Sequence, residues 1–199
     1  VLKDLPPKIK TIIPVEIADW KEYKDAEYDL ISWLRKTRPE KAERARNAIR
    51  LVKFGYLKRL AAILKMKDVL AWLGDFLEGS QEKLIAFGIH KHAMKKVKDR
   101  FKGGCAVVDG SITGIKRQRN IDLFIKSTKA PLMIANIQAG GTAWNATGVS
   151  HSAFFELPWT PADLAQAMSR TEGVNRGKVG IPSQSWFLIA KGTVEEKVM

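Results

Sequence analysis

From Lys83 to the end, short apolar runs alternate with amphipathic stretches, and this alternation restricts the fold more than any other feature of the chain. Lys83–Gly88 (K-L-I-A-F-G), Cys105–Val108 (C-A-V-V), Pro131–Ala135, Ser152–Phe155 and Ser185–Ala190 are short and apolar, and read as buried strands. Between them Lys91–Phe101, Ile115–Ile125 and Thr160–Ser169 read as helices, with Ile121, Phe124 and Ile125 on the inner face of the second. Thr193–Lys197 opens a last helix, with Thr193 and Glu196 as its capping box. Strands separated by helices predict an α/β fold: a parallel sheet flanked by helices, joined by right-handed crossovers. Such a sheet gathers its ligand chemistry at the carboxyl ends of its strands.

The segments that follow the strands fit that expectation. They read G-I-H-K-H, D-G-S-I-T-G, N-I-Q-A-G-G-T and E-L-P-W-T-P. Each is small, polar or glycine-bearing, so backbone N–H groups can reach phosphate oxygens there without side-chain charge. Lys91, Lys116 and Arg117 stand just beyond and can add charge. Thr160-Pro161-Ala162-Asp163 places a cap, a first-turn proline and an acidic third residue in the favoured order for a helix start. That helix carries Gln166 and Arg170 four apart, on one face. Arg170 and Arg176 can fork onto phosphate oxygens, and they also fit a plain surface arginine pair.

The first 80 residues read differently. Paired prolines at Pro6-Pro7 and then alternating apolar residues predict an extended entry segment and an edge strand. Asp19 is a helix N-cap with Glu22 at the capping-box position. Trp20, Tyr23, Ala26, Leu30, Trp33 and Leu34 recur at helical spacing, and Arg38-Pro39 breaks the run. Residues 40–50 are charged and helical. Leu57, Leu60, Ala61 and Leu64, then Val69, Leu70, Leu73 and Leu77, form two stripes divided near Lys65–Asp68 and ended by Gly79-Ser80. This region reads as packing. The division expected is 1–80 for the entry strand and helices and 81–199 for the α/β lobe.

Charge narrows the partner. Thirty-four Lys and Arg against 21 Asp and Glu leave +13, an excess that points to a polyanion and also fits a solvated basic surface. The single cysteine, Cys105, excludes an internal disulfide, fits a reducing compartment and sits in an apolar run as a core thiol. No apolar run approaches the roughly 20 residues that span a bilayer, and no signal-peptide pattern opens the chain. The expected location is therefore intracellular. The chain begins with Val, which is expected of a piece of something longer. His90, His92 and His151 have no carboxylate or cysteine at ligand spacing, so no metal site is expected. His90 suits a phosphate contact as well as it suits an ordinary polar loop. Asn145-Ala146-Thr147 matches a glycosylation sequon, which reads as accidental without secretion. The six tryptophans read as core, apart from Trp159 and Trp144. No Ser/His/Asp or Cys/His nucleophile arrangement emerges.

One family carries these segments in this order. L-P-P-K at Leu5–Lys8, K-L-I-A-F-G-I-H-K-H, D-G-S-I-T-G-I-K-R-Q-R-N-I-D-L-F, I-Q-A-G-G-T-A-W-N-A-T, F-F-E-L-P-W-T-P-A-D-L-A-Q-A-M-S-R and W-F-L-I-A-K-G-T-V-E-E-K-V cover nearly the whole chain. Together they resemble the second motor lobe of the Swi/Snf-type ATP-dependent DNA translocases, within the superfamily 2 helicases. The likeness is nearest to the compact annealing-helicase branch and its bacterial and phage relatives. The resemblance implies a RecA-like fold, duplex DNA and ATP with Mg2+ as ligands, and a neighbouring first motor lobe as partner. It also implies a cytoplasmic place in a bacterium or phage-infected cell, or a nuclear one in a eukaryote. Position by position it implies that His90, Lys91, Asp109, Gly110, Ser111, Thr113, Arg117, Gln138, Ala139, Gly140 and Trp159 face the DNA. Gly141, Thr142, Asn145 and Gln166 would serve the nucleotide, and Arg170 and Arg176 would be the catalytic arginines.

The sequence departs from the family pattern in three places. The pattern R-x-H-R would put its second arginine at Gly173. Taking Thr171-Glu172-Gly173 as an insertion aligns Val174-Asn175-Arg176 and makes Arg176 the finger. Ala143-Trp144-Asn145-Ala146 stands where the family has G-L-N-L. No G-x-x-x-x-G-K-[ST] loop and no acidic Walker B run occurs, so the phosphate cradle and the magnesium site are expected on the first lobe and not on this chain. Three function classes stand at this point: a motor lobe, a stand-alone basic nucleic-acid-binding domain, and a nucleotide-dependent α/β enzyme unrelated to DNA.

Overall fold

The computed structural model describes residues 8–37, 49–137, 148–171 and 182–197. The chain divides into two compact units, Val1–Ile13 with Val69–Ile189, and Pro14–Asp68 with Ala190–Met199.

The first unit is built on a six-stranded sheet. Its strands are β1 (Lys8–Val15), β2 (Leu84–Gly88), β3 (Cys105–Val108), β4 (Leu132–Asn136), β5 (His151–Phe154) and β6 (Ser183–Ala190), ordered β1-β6-β5-β2-β4-β3. The pairs β2–β4, β2–β5, β3–β4 and β5–β6 are all parallel. Every side chain of β2 is buried, as expected of a central parallel strand covered on both faces. Three phenylalanines fix the register of its neighbours. Phe87 pairs with Phe154 and Phe154 with Phe187, and the rings stack at 4.9 Å and 5.1 Å across the strands. A one-residue slip would turn this ladder to the other face of the sheet. β1 closes one side, as expected, and Gln184 of β6 donates to the Thr11 hydroxyl at 2.8 Å.

Among the described residues three α-helices lie between β2 and β6: α5 (Lys91–Arg100) after β2, α6 (Gly114–Lys126) after β3 and α7 (Pro161–Met168) after β5. They lie where the periodicity predicts them, to within a residue or two. The chain steps from β2 to β3 and then back from β3 to β4, so right-handed crossovers assign α5 and α6 to opposite faces. Lys83 spans the other end of the sheet and donates to the last carbonyls of α6, those of Phe124 at 2.5 Å and Ile125. A cation at a helix C-terminus is favourable.

The second unit is helical. It holds α1 (Trp20–Tyr28), α2 (Leu30–Thr37), α3 (Ile49–Leu64) and the first turn of α4 (Met66–Gly79). Asp19 caps α1 as expected, accepting from Glu22 N–H at 2.8 Å. The expected single helix from Trp20 to Leu34 is two. Asp29 ends α1 and its carboxylate accepts from Ser32 N–H at 3.0 Å, starting α2, because a short acidic side chain competes for backbone donors inside a helix. The Arg38-Pro39 break and most of the expected 40–50 helix lie outside the described residues. Lys65 divides α3 from α4, inside the expected window. Leu30 and Leu34 pack with Trp33, Val52 and Tyr56.

Two further expectations need correction. Val194–Lys197 is a 3-10 turn. The Thr193 hydroxyl accepts from Glu195 N–H, not from Glu196, and it donates to the Ala190 carbonyl at 2.7 Å. Glu195 turns inward instead and meets Lys65, with Nζ at 2.7 Å and 2.6 Å from its two oxygens and both side chains fully buried. Nor are the tryptophans core residues: Trp33, Trp72 and Trp186 are half-buried, and Trp20 is exposed, laid over Gly192. Trp144 lies outside the described residues.

Candidate functional site

Because the paired strands are parallel, the segments leaving β2, β3, β4 and β5 share one edge of the sheet. Backbone bonds bind those exits together. Ile137 N–H donates to the Gly88 carbonyl at 3.0 Å and Phe155 N–H to the Phe87 carbonyl at 3.1 Å. The Asn136 amide, at the end of β4, donates to the Ile89 carbonyl at 2.8 Å. Gly88 is needed for this closeness. A Cβ there would stand 2.3 Å from the Phe155 ring and 3.1 Å from Met94.

At the centre of the edge, Glu156 reaches from the segment after β5 to the segment after β2. One oxygen accepts from Ile89 N–H at 2.8 Å and His90 N–H at 2.9 Å, and the other bonds His90 Nδ1. Glu156 is buried and His90 is one-third exposed. Burial pushes the Glu156 carboxyl up. Its hydrogen bond to His90, the positive charge of that ring when it is protonated, and the two backbone donors outweigh it, and the carboxyl sits below its ordinary range. The expectation that the histidines lack a carboxylate neighbour holds along the sequence and fails in space, because this partner lies 66 residues away. Among the described residues no group of three or more His, Cys, Asp and Glu side chains is placed to hold a metal ion.

Two further turns lie on segments that leave this edge. After β3, Asp109 folds back on its own loop, accepting from Ser111 N–H at 2.8 Å and from its hydroxyl at 2.6 Å. Burial pushes the Asp109 carboxyl up, but these donors, Ile112 N–H and the charge of Lys91 bring it below the usual value. The carboxylate of Asp109 thus builds the turn, while Gly110, Ser111 and Thr113 are exposed beyond it. Thr113 begins α6 without a side-chain cap bond. On the other flank the Thr160 hydroxyl accepts from Asp163 N–H at 3.1 Å and donates to the Asp163 carboxylate, fixing the start of α7 as predicted. Gln166 on α7 and Trp159 before it are exposed.

Arg170 follows α7 in a 3-10 turn and is half-buried. Burial lowers its guanidinium below the ordinary value, and the charge of Arg117 lowers it further. The fold therefore holds Arg117, in the first turn of α6, and Arg170, in the turn after α7, within each other's field. Such an arrangement is relieved by an anion that both can reach.

The described edge thus gathers His90, Lys91, Asp109, Gly110, Ser111, Thr113 and Arg117, with Trp159, Gln166 and Arg170 on the segment after β5. Gln138, Ala139, Gly140, Gly141, Thr142, Asn145 and Arg176 lie outside the described residues. Sequence reasoning missed Glu156, although an acidic residue right after a buried strand, with a histidine right after another, was a usable signal. Cys105 is half-buried rather than enclosed, and burial pushes its thiol up.

A family model described as the helicase conserved C-terminal domain matches residues 64–172. The human DNA annealing helicase and endonuclease ZRANB3 is 28% identical over 98% of this chain and 18% of its own length. The Mycoplasma genitalium ATP-dependent helicase MG018 is 27% identical over 100% of this chain and 20% of its own. The chain thus spans about a fifth of the length of these curated relatives. The crystal structure of the C-terminal part of the Fun30 ATPase domain shares the fold, with a TM-score of 0.75 at 17% identity, covering 98% of this chain and 89% of that one.

Proposed function

Because this chain belongs to the helicase conserved C-terminal domain family, in its Swi/Snf-type superfamily 2 branch, we propose that it is the second motor lobe of an ATP-dependent DNA translocase. In this reading residues 81–199 are the RecA-like lobe and 1–80 its entry strand and helical region. The lobe binds the backbone of duplex DNA and supplies arginines to an ATP site completed by a first lobe upstream. The observation that carries the reading is the convergence of His90, Lys91, Arg117 and Arg170 on one edge of a parallel sheet, together with glycine-bearing and hydroxyl-bearing turns.

Each residue then has a physical task. Lys91 and Arg117 neutralise phosphates, and the exposed Gly110 backbone and Thr113 hydroxyl bond phosphate oxygens without reading sequence, on a turn that Ser111 holds through its bonds to Asp109. Trp159 presents an exposed ring beside the backbone. Gln138, Ala139 and Gly140 extend the same contact by resemblance alone.

The described residues fit an anionic nucleotide at one point. Arg170, desolvated and repelled by Arg117, is stabilised by a phosphate group near it. Gln166 orients beside it, and Gly141, Thr142, Asn145 and the finger Arg176 follow by resemblance. ATP, when bound, supplies the free energy of phosphoryl transfer. Arginines near its terminal phosphate stabilise developing charge without taking or giving a proton. Mg2+ and the phosphate cradle belong to the first lobe. Among the described residues no helix is long and apolar enough to cross a membrane.

Arg176→Ala in the complete protein should abolish DNA-stimulated ATP turnover and leave DNA affinity nearly unchanged. The arginine finger of such motors is worth roughly 10³–10⁵ in rate. The isolated chain should show no turnover. An unchanged turnover number in the variant, or hydrolysis by the isolated chain, would contradict this assignment.

A further inference from the structure

The resemblance assigns no role to Glu156, and yet the fold spends a fully buried carboxylate on it. We propose that Glu156 is a positioning residue that makes His90 a proton-linked ligand for a phosphodiester oxygen of nucleic acid. This rests on the duplex-binding reading above and names one chemical contact within it.

The geometry fixes the ring. One Glu156 oxygen is committed to the N–H groups of Ile89 and His90, and the other to Nδ1. An ionised carboxylate only accepts, so Nδ1 must carry its hydrogen. With Nδ1 committed to a buried carboxylate, Nε2 is the ring nitrogen left for an outside group, on a side chain that is one-third exposed. The backbone around the ring is held as well, by the Asn136 amide on the Ile89 carbonyl.

A neutral ring with its hydrogen on Nδ1 offers Nε2 only as an acceptor. A phosphodiester oxygen is also an acceptor, so the two repel until the ring takes up one proton. The imidazolium then donates from both nitrogens and bridges two anions, Glu156 inside and phosphate outside. The proton comes from solvent on binding and returns on release. Other charged or titratable groups on this edge, among the described residues, are Lys91 and His92, which follow in α5, Asp109 in the loop after β3, Arg117 in α6 and Arg170 after α7; β4 contributes the neutral Asn136.

The test measures binding of the full chain to a fluorescent blunt duplex of arbitrary sequence at constant ionic strength, between about pH 5 and 8, with folding checked by circular dichroism at each pH. The wild type should weaken as pH rises, approaching about tenfold per pH unit, the limit for one linked proton. H90Q keeps a donor for Glu156 and removes the titrating ring, so that pH dependence should vanish. E156Q turns its carbonyl to the two backbone donors and its NH2 to Nδ1. The ring then carries its proton on Nε2, donates while neutral, and should bind nearly independently of pH. H92Q should retain the wild-type slope. If H90Q keeps that slope while duplex binding stays salt-dependent, the proton-linked contact is wrong and the motor-lobe reading stands. If the wild type binds no duplex at any pH, both fall. If E156Q does not fold, H90Q against H92Q decides the matter alone.

Discussion

Two buried glutamates of this protein do similar chemistry with opposite consequences. Glu195 takes the Lys65 ammonium on both oxygens and the Ala190 N–H at 2.9 Å, and neither side chain of the ion pair sees solvent. Glu156 takes two backbone N–H groups and the His90 ring, and one-third of that ring remains open. In the first arrangement both charges are enclosed, so the pair can act only on folding. In the second a buried anion orients a group that still faces outward, and that group can meet a ligand. Enclosure, rather than residue type, separates a structural ion pair from a site.

The most damaging way to probe this contrast is Lys65→Ala. Removing one partner of an enclosed pair leaves a buried charge and should cost about 3–5 kcal/mol, read as a shifted midpoint in denaturant unfolding. The paired replacement Lys65→Met with Glu195→Leu should recover most of that loss, because apolar groups of similar volume are often neutral there. Neither change should alter the pH slope of duplex binding. A loss near the 0–1 kcal/mol of a surface pair would mean that the enclosure does not matter.

Glu156→Gln sharpens the other side, with a smaller effect. The Glu156 carboxyl sits below its ordinary range when folded. Its contribution to stability is therefore complete above the unfolded value of about 4.3, and it disappears as pH falls through the folded value. The wild type should lose stability along that acid limb. The Gln variant should show a shallower limb and a lower plateau at neutral pH. Identical acid limbs would mean that the carboxylate is not held by His90 and the two N–H groups.

The sheet was legible because its strands are short apolar runs bounded by turn residues, and period alone places them. Cys105–Val108 is recovered residue for residue. Thr160 and Asp19 were legible because caps are local, depending on residues three apart. What escaped was non-local. Nothing near His90 in sequence announces Glu156, and nothing near Lys65 announces Glu195. Both pairs exist only once the sheet and the helices have formed. The Asp29 break escaped for a different reason: apolar periodicity continues straight through it, and a single polar side chain decides the local backbone.

The central claim, that the carboxyl edge of the sheet grips a phosphate backbone, is tested most directly by the salt dependence of duplex affinity. The logarithm of affinity should fall linearly and steeply with the logarithm of salt, with little preference for sequence. Arg117→Ala and Lys91→Ala should each lower the slope by about one. Affinity indifferent to salt, or a slope that neither substitution changes, would contradict the account.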